Sequence, residues 1–360
     1  MPSIETSKTV VIFGISLLAL FPELYSQEES GVLQLSPLVI DADRLVQPQA
    51  DDDSNAGMTL SNNLLGSAQI GLLELSDAIA QYPAYAAFRK TPARAAHPTT
   101  QGVRLRNLGI NSTSRSIVTL DGVPQNDPFG GWIYWQKYHA SSLYDIQVKP
   151  SSGSEAWGNY GTGGHISLKS ISPKESRIHT KLTGGSEGTK SASISSDTKI
   201  SQNVSLNLSA LTAETDGFYT LRSDQRGSID QKANSEAHAY QGLLRIEANE
   251  SWLFTLRAAL FEEDRLNGTP LSFNGTEATD FSITALHRFE DSDSGFNIVA
   301  YTQERDFHNQ FTSVTNDRNS ERPALDQFAM PAGAEGASFK FFTRIAEKHD
   351  FSIGGDIRLL

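Results

Sequence analysis

The 360-residue chain has no cysteine, no long apolar run and no excess of positive charge. The lack of cysteine excludes disulfides, thiolate metal sites, cysteine nucleophiles and a lipid-anchored N-terminal cysteine. No apolar stretch reaches the ~18–20 residues that a membrane-spanning helix needs. The formal net charge is −12, whereas a nucleic-acid surface needs clustered Lys and Arg. No nucleic-acid partner is therefore expected.

Signatures of catalysis and metal binding are also missing from the sequence. The eight histidines are scattered, and neither a His-Glu-x-x-His pair nor a Gly-x-Ser-x-Gly elbow occurs. The glycine-rich residues 158–164 lack the Gly-Lys-Ser/Thr of a phosphate-binding loop. The aspartates at 51–53 lack the ligand spacing of an EF-hand loop and are interpreted as solvated linker. We expect no enzyme, catalytic residue, metal site or cofactor.

The N-terminus has the pattern of an export signal. Residues 10–20 form an apolar run preceded by Lys8 and followed by a polar stretch at 23–30. At about 11 residues this run is too short to span a bilayer, but it matches the apolar core of a secretory signal peptide. Residues 1–26 are predicted to be a signal peptide, with a buried N-terminal helix or strand as the alternative.

Residues 27–63 are predicted to be an extension in front of a folded domain. Within them, residues 32–44 are apolar and extended, since Pro37 prevents a helix and residues 38–40 favour a strand. The polar stretch that follows reads as a linker. An exposed extended peptide can add a strand to the sheet edge of a partner, so this segment is a candidate for docking; a disordered apolar tail is the alternative.

Residues 64–172 alternate short helix and strand patterns, which predicts a small α+β domain. A helix is expected to begin with Ser76 or Asp77 as its N-cap and to end at Pro83. Short strands are predicted at 103–105, 117–120, 144–149 and 165–168. The Asp-Gly pair after the second of these strands indicates a tight turn. The turn pair is Asp121 and Gly122. The density of glycines at Gly158, Gly161, Gly163 and Gly164 indicates positive φ or close approach between chain segments.

From residue 173 to residue 360 the hydrophobicity alternates with period two. Strands are predicted near 177–184, 189–199, 203–214, 237–248, 251–262, 280–290, 295–306, 336–346 and 349–360. Short turns are predicted on one side and long polar loops at 215–236, 263–279 and 307–335 on the other. This asymmetry is typical of a transmembrane β-barrel, and the alternative is a soluble β-sandwich, which also alternates.

The predicted strand number bears on whether a barrel could close. Single-chain bacterial barrels have even numbers of strands, and about nine are predicted here. An open edge in lipid leaves backbone groups unpaired, each costing several kcal/mol. The sequence therefore predicts an incomplete barrel, as the N-terminal part of a longer protein.

Four segments resemble the plug domain and first barrel strands of TonB-dependent outer-membrane receptors. Residues 121–126 (Asp-Gly-Val-Pro-Gln-Asn) resemble the segment that follows a plug strand, and residues 146–148 (Ile-Gln-Val) resemble a later plug strand. Residues 155–158 (Glu-Ala-Trp-Gly) and 163–168 (Gly-Gly-His-Ile-Ser-Leu) resemble the glycine-rich end of the plug. The resemblance covers the whole chain after the signal peptide.

This resemblance implies energised uptake of a scarce ligand, such as a ferric siderophore or cobalamin, across the outer membrane of a Gram-negative cell. Its implied partners are TonB, outer-membrane lipid and a small extracellular ligand. By position, the TonB-binding segment would be Leu35, Ser36, Pro37, Leu38, Val39, Ile40, Asp41 and Ala42.

The resemblance also implies which residues of the plug face the ligand. They would come from two loops of the plug, and the candidates are Arg94, His97, Asn126, Phe129, Trp132, Tyr134 and Trp135. For the four aromatic residues the alternative is packing of the plug against the barrel wall. Two other functions remain open: a secreted or surface β-rich binding or adhesion protein, and a degenerate product whose plug folds alone.

Overall fold

The computed structural model describes residues 58–61, 74–80, 82, 85–87, 91–105, 115–138, 142–150, 158–172, 175–290, 293–345 and 349–360. The predicted signal peptide and the segment at residues 35–42 lie outside these residues. Among the residues described, none of the helices is long and apolar enough to cross a membrane. The described residues form a small domain, residues 58–172, and a large sheet, residues 177–359.

The small domain is built on a five-stranded sheet with the order β1-β6-β7-β4-β5, beside a two-stranded sheet, β2-β3. Strands β4 and β7 run parallel, and the other pairs are antiparallel. The α-helix is α1 (Leu75–Ile79), and the strands are β1 (Met58–Ser61), β2 (Tyr85–Ala87), β3 (Val103–Leu105), β4 (Ile117–Leu120), β5 (Val123–Pro124), β6 (Leu143–Lys149) and β7 (His165–Ser170). Single-turn 3₁₀ helices occur at Ala93–Ala95, Pro98–Thr100, Trp135–Lys137 and Gly158–Gly161.

The core of the small domain explains where its strands lie. Every residue of β4 is buried, as expected for a central strand covered on both faces. Ile166 and Leu168 of the adjacent strand β7, and Ile146 of β6 beyond it, are fully buried in the same core. The predicted Asp-Gly turn joins β4 to β5, with φ of 50° at Asp121 and 85° at Gly122, which are the positive values that such a hairpin turn requires.

The predicted start of helix α1 is wrong by two or three residues. Its N-cap is Glu74 rather than Ser76 or Asp77, and the Asp77 carboxylate accepts a hydrogen bond from the Glu74 backbone N–H at 3.3 Å. The Glu74 carboxylate accepts further hydrogen bonds from the backbone N–H groups of Ala93 at 2.7 Å and Arg94 at 3.0 Å. A contact across 20 residues of sequence therefore fixes where the helix begins.

The large sheet has nine antiparallel strands in sequence order. Their number agrees with the prediction, and they form one sheet rather than the two layers of a sandwich. Within the described residues the sheet is open, because β8 and β16 each pair on one side only. The strands are β8 (Arg177–Gly184), β9 (Lys190–Lys199), β10 (Val204–Phe218), β11 (Ala233–Asn249), β12 (Trp252–Thr269), β13 (Ser272–Arg288), β14 (Gly295–Val314), β15 (Glu321–Ile345) and β16 (His349–Leu359).

Two of the three predicted long loops are wrong. Strands β12 and β13 extend through residues 263–279 and leave a turn at 270–271, and β14 and β15 extend through most of 307–335. In these extensions inward residues such as Glu263 and Arg265 are as polar as outward Asp264, so the hydrophobic period-two signal is lost. Of the three predicted loops, the one after β10 is long in the structure: it spans residues 219–232 and contains a 3₁₀ turn at Ser223–Gln225.

The two faces of the large sheet have opposite chemistry. The outward face exposes large apolar side chains in neighbouring strands, including Tyr240, Leu260 and Phe281 at 47–54% exposure. The inward face buries polar and charged side chains such as Arg257 and Asp280. The small domain packs against this inward face, where Ile117 and Val123 form one apolar cluster with Val299, Tyr301 and Ala334 of the sheet.

Candidate functional site

Two loops of the small domain meet the inward face of β11–β14. We call them the first loop, residues 91–101, and the second loop, residues 126–138. Both carry residues that the sequence singled out as ligand-facing. Their backbones are held by buried polar contacts, and their side chains meet aromatic residues of the large sheet.

The first loop is held through its backbone. The guanidinium of Arg265 donates hydrogen bonds to the carbonyls of Ala93 and Arg94, each at 2.9 Å. The hydroxyl of Ser235 also donates to the Arg94 carbonyl, at 2.6 Å. The Arg94 side chain forms an ion pair with Glu74 at 3.1 Å. Arg94 therefore anchors the loop at both its backbone and its side chain.

His97 connects the first loop, to which it belongs, with strand β14. Its Nδ1 is 2.8 Å from the Thr99 hydroxyl and its Nε2 is 3.2 Å from the Asn309 side-chain oxygen. Its ring stacks on Phe311 at 6.2 Å and meets the edge of Phe307 at 6.3 Å. The imidazole is thereby fixed in position with one face on an aromatic side chain that is 44% exposed.

The start of the second loop is shaped by two buried side chains. Asn126 accepts a hydrogen bond from the Val118 N–H at 2.9 Å and donates to the carbonyls of Ser116 and Gly131, each at 3.2 Å. The Asp127 carboxylate accepts from the N–H groups of residues 129 and 130 and from the Tyr134 hydroxyl. Burial raises the pKa of Asp127 more than these hydrogen bonds lower it. Asn126 thus organises the loop from inside.

The aromatic residues of the second loop divide into exposed and buried ones. Phe129 is 68% exposed, whereas Trp132, Tyr134 and Trp135 are 3–5% exposed. Trp132 packs on Phe307 at 5.6 Å and Tyr134 packs on Phe261 at 5.7 Å, while Trp135 belongs to the core of the small domain. For Trp132 and Tyr134 the contacts are those of packing against the sheet. We call His97, Phe129, Trp132, Tyr134, Phe307 and Phe311 the aromatic cluster.

Charged contacts bind the end of the second loop to the sheet. Lys137 forms a buried ion pair with Asp280, which also pairs with Arg305 at 2.6 Å. Gln136 donates a hydrogen bond at 2.6 Å to Glu263, which is itself paired with Arg265 at 2.6 Å. Because these ions are buried, removing one partner would leave an uncompensated charge.

Burial of Lys137 should make the stability of the protein depend on pH. Desolvation lowers the pKa of Lys137 from 10.5 to about 8, although Asp280 opposes the shift. Between these two pH values the unfolded chain binds the proton more tightly than the folded protein, so stability should rise with pH, by at most about 1.4 kcal/mol per pH unit for one proton. The check is the melting temperature at pH 8–10 of the full-length protein and of Lys137→Met. An equal pH slope in the variant would contradict the assignment.

A second charged contact holds the Asp-Gly turn. The Asp121 carboxylate accepts hydrogen bonds from the Ser170 N–H at 2.9 Å and hydroxyl at 2.6 Å, and it pairs with Arg257 of β12. Burial alone would raise the pKa of Asp121, but the charges of Arg257 and Arg245 outweigh it and hold the pKa below its usual value. Asp121 therefore stays ionised and joins β4, β7 and the large sheet.

The side chains exposed at the aromatic cluster are apolar. Among the residues described, no group of three or more His, Cys, Asp or Glu side chains could hold a metal ion. The exposed side chains at the aromatic cluster are Phe129 and Phe311, and Leu325, the cross-strand partner of Phe311, is 52% exposed. Phe311 and Leu325 form an apolar surface next to the imidazole of His97, while Phe129 meets the ring of Trp132 at 6.4 Å.

Comparison with known proteins identifies the fold. No protein-family model matches, and no curated protein matches in sequence. Solved structures do match. A mutant of the ferric enterobactin receptor PfeA from Pseudomonas aeruginosa, in complex with enterobactin, aligns with a TM-score of 0.60 at 12% identity over 86% of this chain and 50% of that chain. This chain has the fold of the TonB-dependent siderophore receptors.

Further siderophore receptors of this fold align equally well. The siderophore receptor PirA from Pseudomonas aeruginosa gives a TM-score of 0.58 at 13% identity over 86% of this chain and 48% of that chain. The ferric-catecholate import receptor Fiu from E. coli K12 gives 0.58 at 13% identity over 86% and 50%. The chain thus spans about half the length of these receptors.

The glycines singled out in the sequence lie before strand β7, where the backbone has positive φ or close contacts. Gly158 and Gly164 have positive φ, and a Cβ on Gly163 would lie 2.7 Å from the Arg115 carbonyl oxygen. The Gly164 carbonyl accepts a hydrogen bond from the Ile117 N–H at 3.1 Å. The glycines therefore let the chain enter β7 in contact with the start of β4.

Several residues of the site were missed by sequence reasoning. Phe307, Asn309 and Phe311 fall in the region predicted as a polar loop, yet they lie on β14 and face His97. In the sequence Phe307 and Phe311 are four positions apart, and the residues between them, including Asn309, are all polar. No period-two alternation of apolar residues therefore marks this extension of β14.

Proposed function

We propose that the full-length protein is an outer-membrane TonB-dependent receptor that takes up a scarce small ligand by energised rearrangement of its plug. The plug would be residues 64–172, and residues 173–360 would form the first part of the barrel. The observation that carries this proposal is the inverted polarity of the large sheet, with apolar side chains outward and buried charges inward. That pattern is typical of transmembrane barrels.

In this proposal each predicted segment has a role. Residues 1–26 direct export, and residues 27–63 form a periplasmic extension. Within it, residues 35–42 bind TonB by adding a strand to its sheet. The ligand rests on the exposed side of the aromatic cluster, at Phe129 and Phe311, before it passes the plug.

The names of the matched structures suggest a class of ligand for this protein. The matched structures are named as receptors for ferric enterobactin, for ferric catecholates or for siderophores. A ligand with aromatic rings would stack on Phe311 and Phe129, contributing about 0.5–1.5 kcal/mol per ring pair beyond area burial. A ferric siderophore is therefore the first ligand to test.

The alternative, a secreted β-rich binding protein, fits the outward face poorly. Leu208, Tyr240, Leu260 and Phe339 are 47–54% exposed on that face. Contiguous apolar surface of this kind is rare on soluble monomers. A protein with this surface would be expected to aggregate in water, whereas lipid would cover it.

The test is to express the full-length protein in a Gram-negative host. We expect it in outer membranes, released only by detergent, and we expect TonB-dependent iron uptake from a panel of ferric siderophores that includes ferric enterobactin. Deleting residues 35–42 should abolish uptake. Phe311→Ala should weaken binding about tenfold, whereas Phe281→Ala, equally exposed on the outward face, should not. Water-soluble protein, or uptake that survives the deletion, would contradict the proposal.

A further inference from the structure

The inward face of the large sheet has two chemically different parts. On β12 and β13 it carries the ions that bind the small domain: Arg257 to Asp121, Asp280 to Lys137, and Glu263 to Gln136. Aromatic packing through Phe261 and Phe307 adds to these contacts. Ion pairs and hydrogen bonds therefore hold the small domain to strands β12 and β13 of the large sheet.

Strands β9 and β10 present a different surface. Their inward residues pair across the two strands as Ser191–Ala213, Ser193–Leu211, Ser195–Ser209, Asp197–Asn207 and Lys199–Ser205. We call these pairs the polar ladder. Over the described residues, no hydrogen bond or ion pair joins β9 or β10 to the small domain, and the contact there is apolar, since Leu211 packs against the cluster that contains Trp132 and Tyr134. From Ala213 to Ser205 the ladder runs about 27 Å at ~3.4 Å per residue, close to the thickness of a bilayer core.

Buried acceptors in the ladder have no partner. Asn207 is fully buried and donates to the Ser195 hydroxyl at 2.9 Å and to Asp197 at 2.6 Å. Its side-chain oxygen and the hydroxyl of Ser209, which is 6% exposed, make no hydrogen bond. A buried polar atom without a partner costs free energy. A ligand that brought hydroxyl or amide donors to the ladder would remove that cost.

A cavity opens at one end of the ladder. It has a volume of about 40 Å³ and lies between Trp135 and Gln136 of the small domain and Ser191, Leu211 and Ala213 of the sheet. Most of the surface that lines this cavity is apolar. At this end of the ladder the small domain and the sheet therefore leave a small gap between them.

We infer that the polar ladder on β9 and β10 is the surface along which a polar, hydroxyl- or amide-bearing ligand passes the plug, an inference that rests on the proposed function. Movement of the plug away from β12 and β13 would break the buried ion pairs of Arg257 with Asp121 and of Asp280 with Lys137, which is unfavourable. Movement away from β9 and β10 breaks no ion pair. The passage therefore opens along the ladder while the bonded side remains closed.

Single cysteines can test this, because the chain has none. Ser209 and Ser282 form a matched pair: both are serines 6% exposed on the inward face, one in the ladder and one on β13. Ser209→Cys and Ser282→Cys would be made in the full-length protein. A membrane-impermeant maleimide is then applied to cells with and without TonB, in medium containing ferric enterobactin and other ferric siderophores.

The ladder variant should be labelled at least tenfold faster in cells that have TonB than in cells that lack it, and the Ser282→Cys variant should be labelled slowly in both. Equal labelling of the two variants, or no effect of TonB on Ser209→Cys, would overturn the inference. Ser195→Cys and Thr276→Cys, both at most 2% exposed, repeat the comparison if either first variant fails to assemble. Failure of the proposed function would appear differently, as protein absent from outer membranes or as uptake that survives deletion of residues 35–42.

Discussion

Replacing Gly164 with alanine is expected to destabilise the small domain by about 2–6 kcal/mol, combining backbone strain of ~1–3 kcal/mol with overpacking of ~1–3 kcal/mol. The φ of Gly164 is 123°, outside the range that L-residues adopt easily. An added Cβ would lie 2.6 Å from the Lys149 carbonyl oxygen and 2.7 Å from a methyl carbon of Leu105. Backbone on one side and a fully buried leucine on the other leave little room to relax.

Thermal unfolding of the full-length protein in detergent, followed by tryptophan fluorescence, measures this effect. Three of the four tryptophans lie in residues 64–172, so fluorescence reports mainly on that part of the chain. Gly184→Ala is the matched control, since no atom lies within 4 Å of an added Cβ there and its φ is not positive. The control should change stability by less than about 0.5 kcal/mol. Similar melting temperatures for both variants would rule out the strain at Gly164.

Replacing Asp121 with alanine is expected to cost about 3–5 kcal/mol, the usual effect of leaving a buried charge unpaired. Asp121 is the carboxylate that meets Arg257, and Arg245 also acts on it. Without Asp121 the two guanidiniums would lie near each other with less compensation, and the Ser170 N–H and hydroxyl would lose their acceptor. The effect should appear in the same fluorescence unfolding experiment.

Two further variants separate charge from shape at Asp121. Asp121→Asn keeps a residue that tolerates the φ of 50° and removes only the charge, so it should cost less than Asp121→Ala. Replacing both Asp121 and Arg257 should cost less than the sum of the single changes, because replacing Arg257 removes the charge that the loss of Asp121 leaves unpaired. Asp224→Asn, an exposed ion-pair partner, should be near neutral. Strict additivity of the double variant would show that the pair contributes nothing.

The sequence specified much of the small domain because its signals are local. The strand at Ile117–Leu120 was predicted at its observed bounds, since a β-branched run stops at an Asp-Gly turn. Helix α1 was placed correctly in the chain, but its start was not, because the Glu74 side chain is held by backbone from residues 93–94. An N-cap that is held by a distant loop cannot be predicted from the residues next to it in sequence.

The candidate site was predictable only in part. The two loops were identified, and Phe129 is exposed as a ligand-facing residue would be. The roles of Trp132 and Tyr134 could not be assigned, because a large aromatic side chain suits a ligand surface and a packed interface equally well. Phe307 and Phe311 were hidden in a region of mixed polarity, and only the strand pairing brings them to His97.

The sequence by itself determined the order of the elements, the nine strands of the large sheet and the absence of cysteine chemistry. Alternation and turn residues act over a few positions, so they can be read along the chain. The tertiary structure decided how far the strands extend, which aromatic residues are buried, and which strands of the large sheet hold the small domain. Those outcomes depend on side chains separated by more than 100 residues, such as Lys137 and Asp280. Their pairing follows from the register of the sheet and the placement of the small domain against it, which no local pattern encodes.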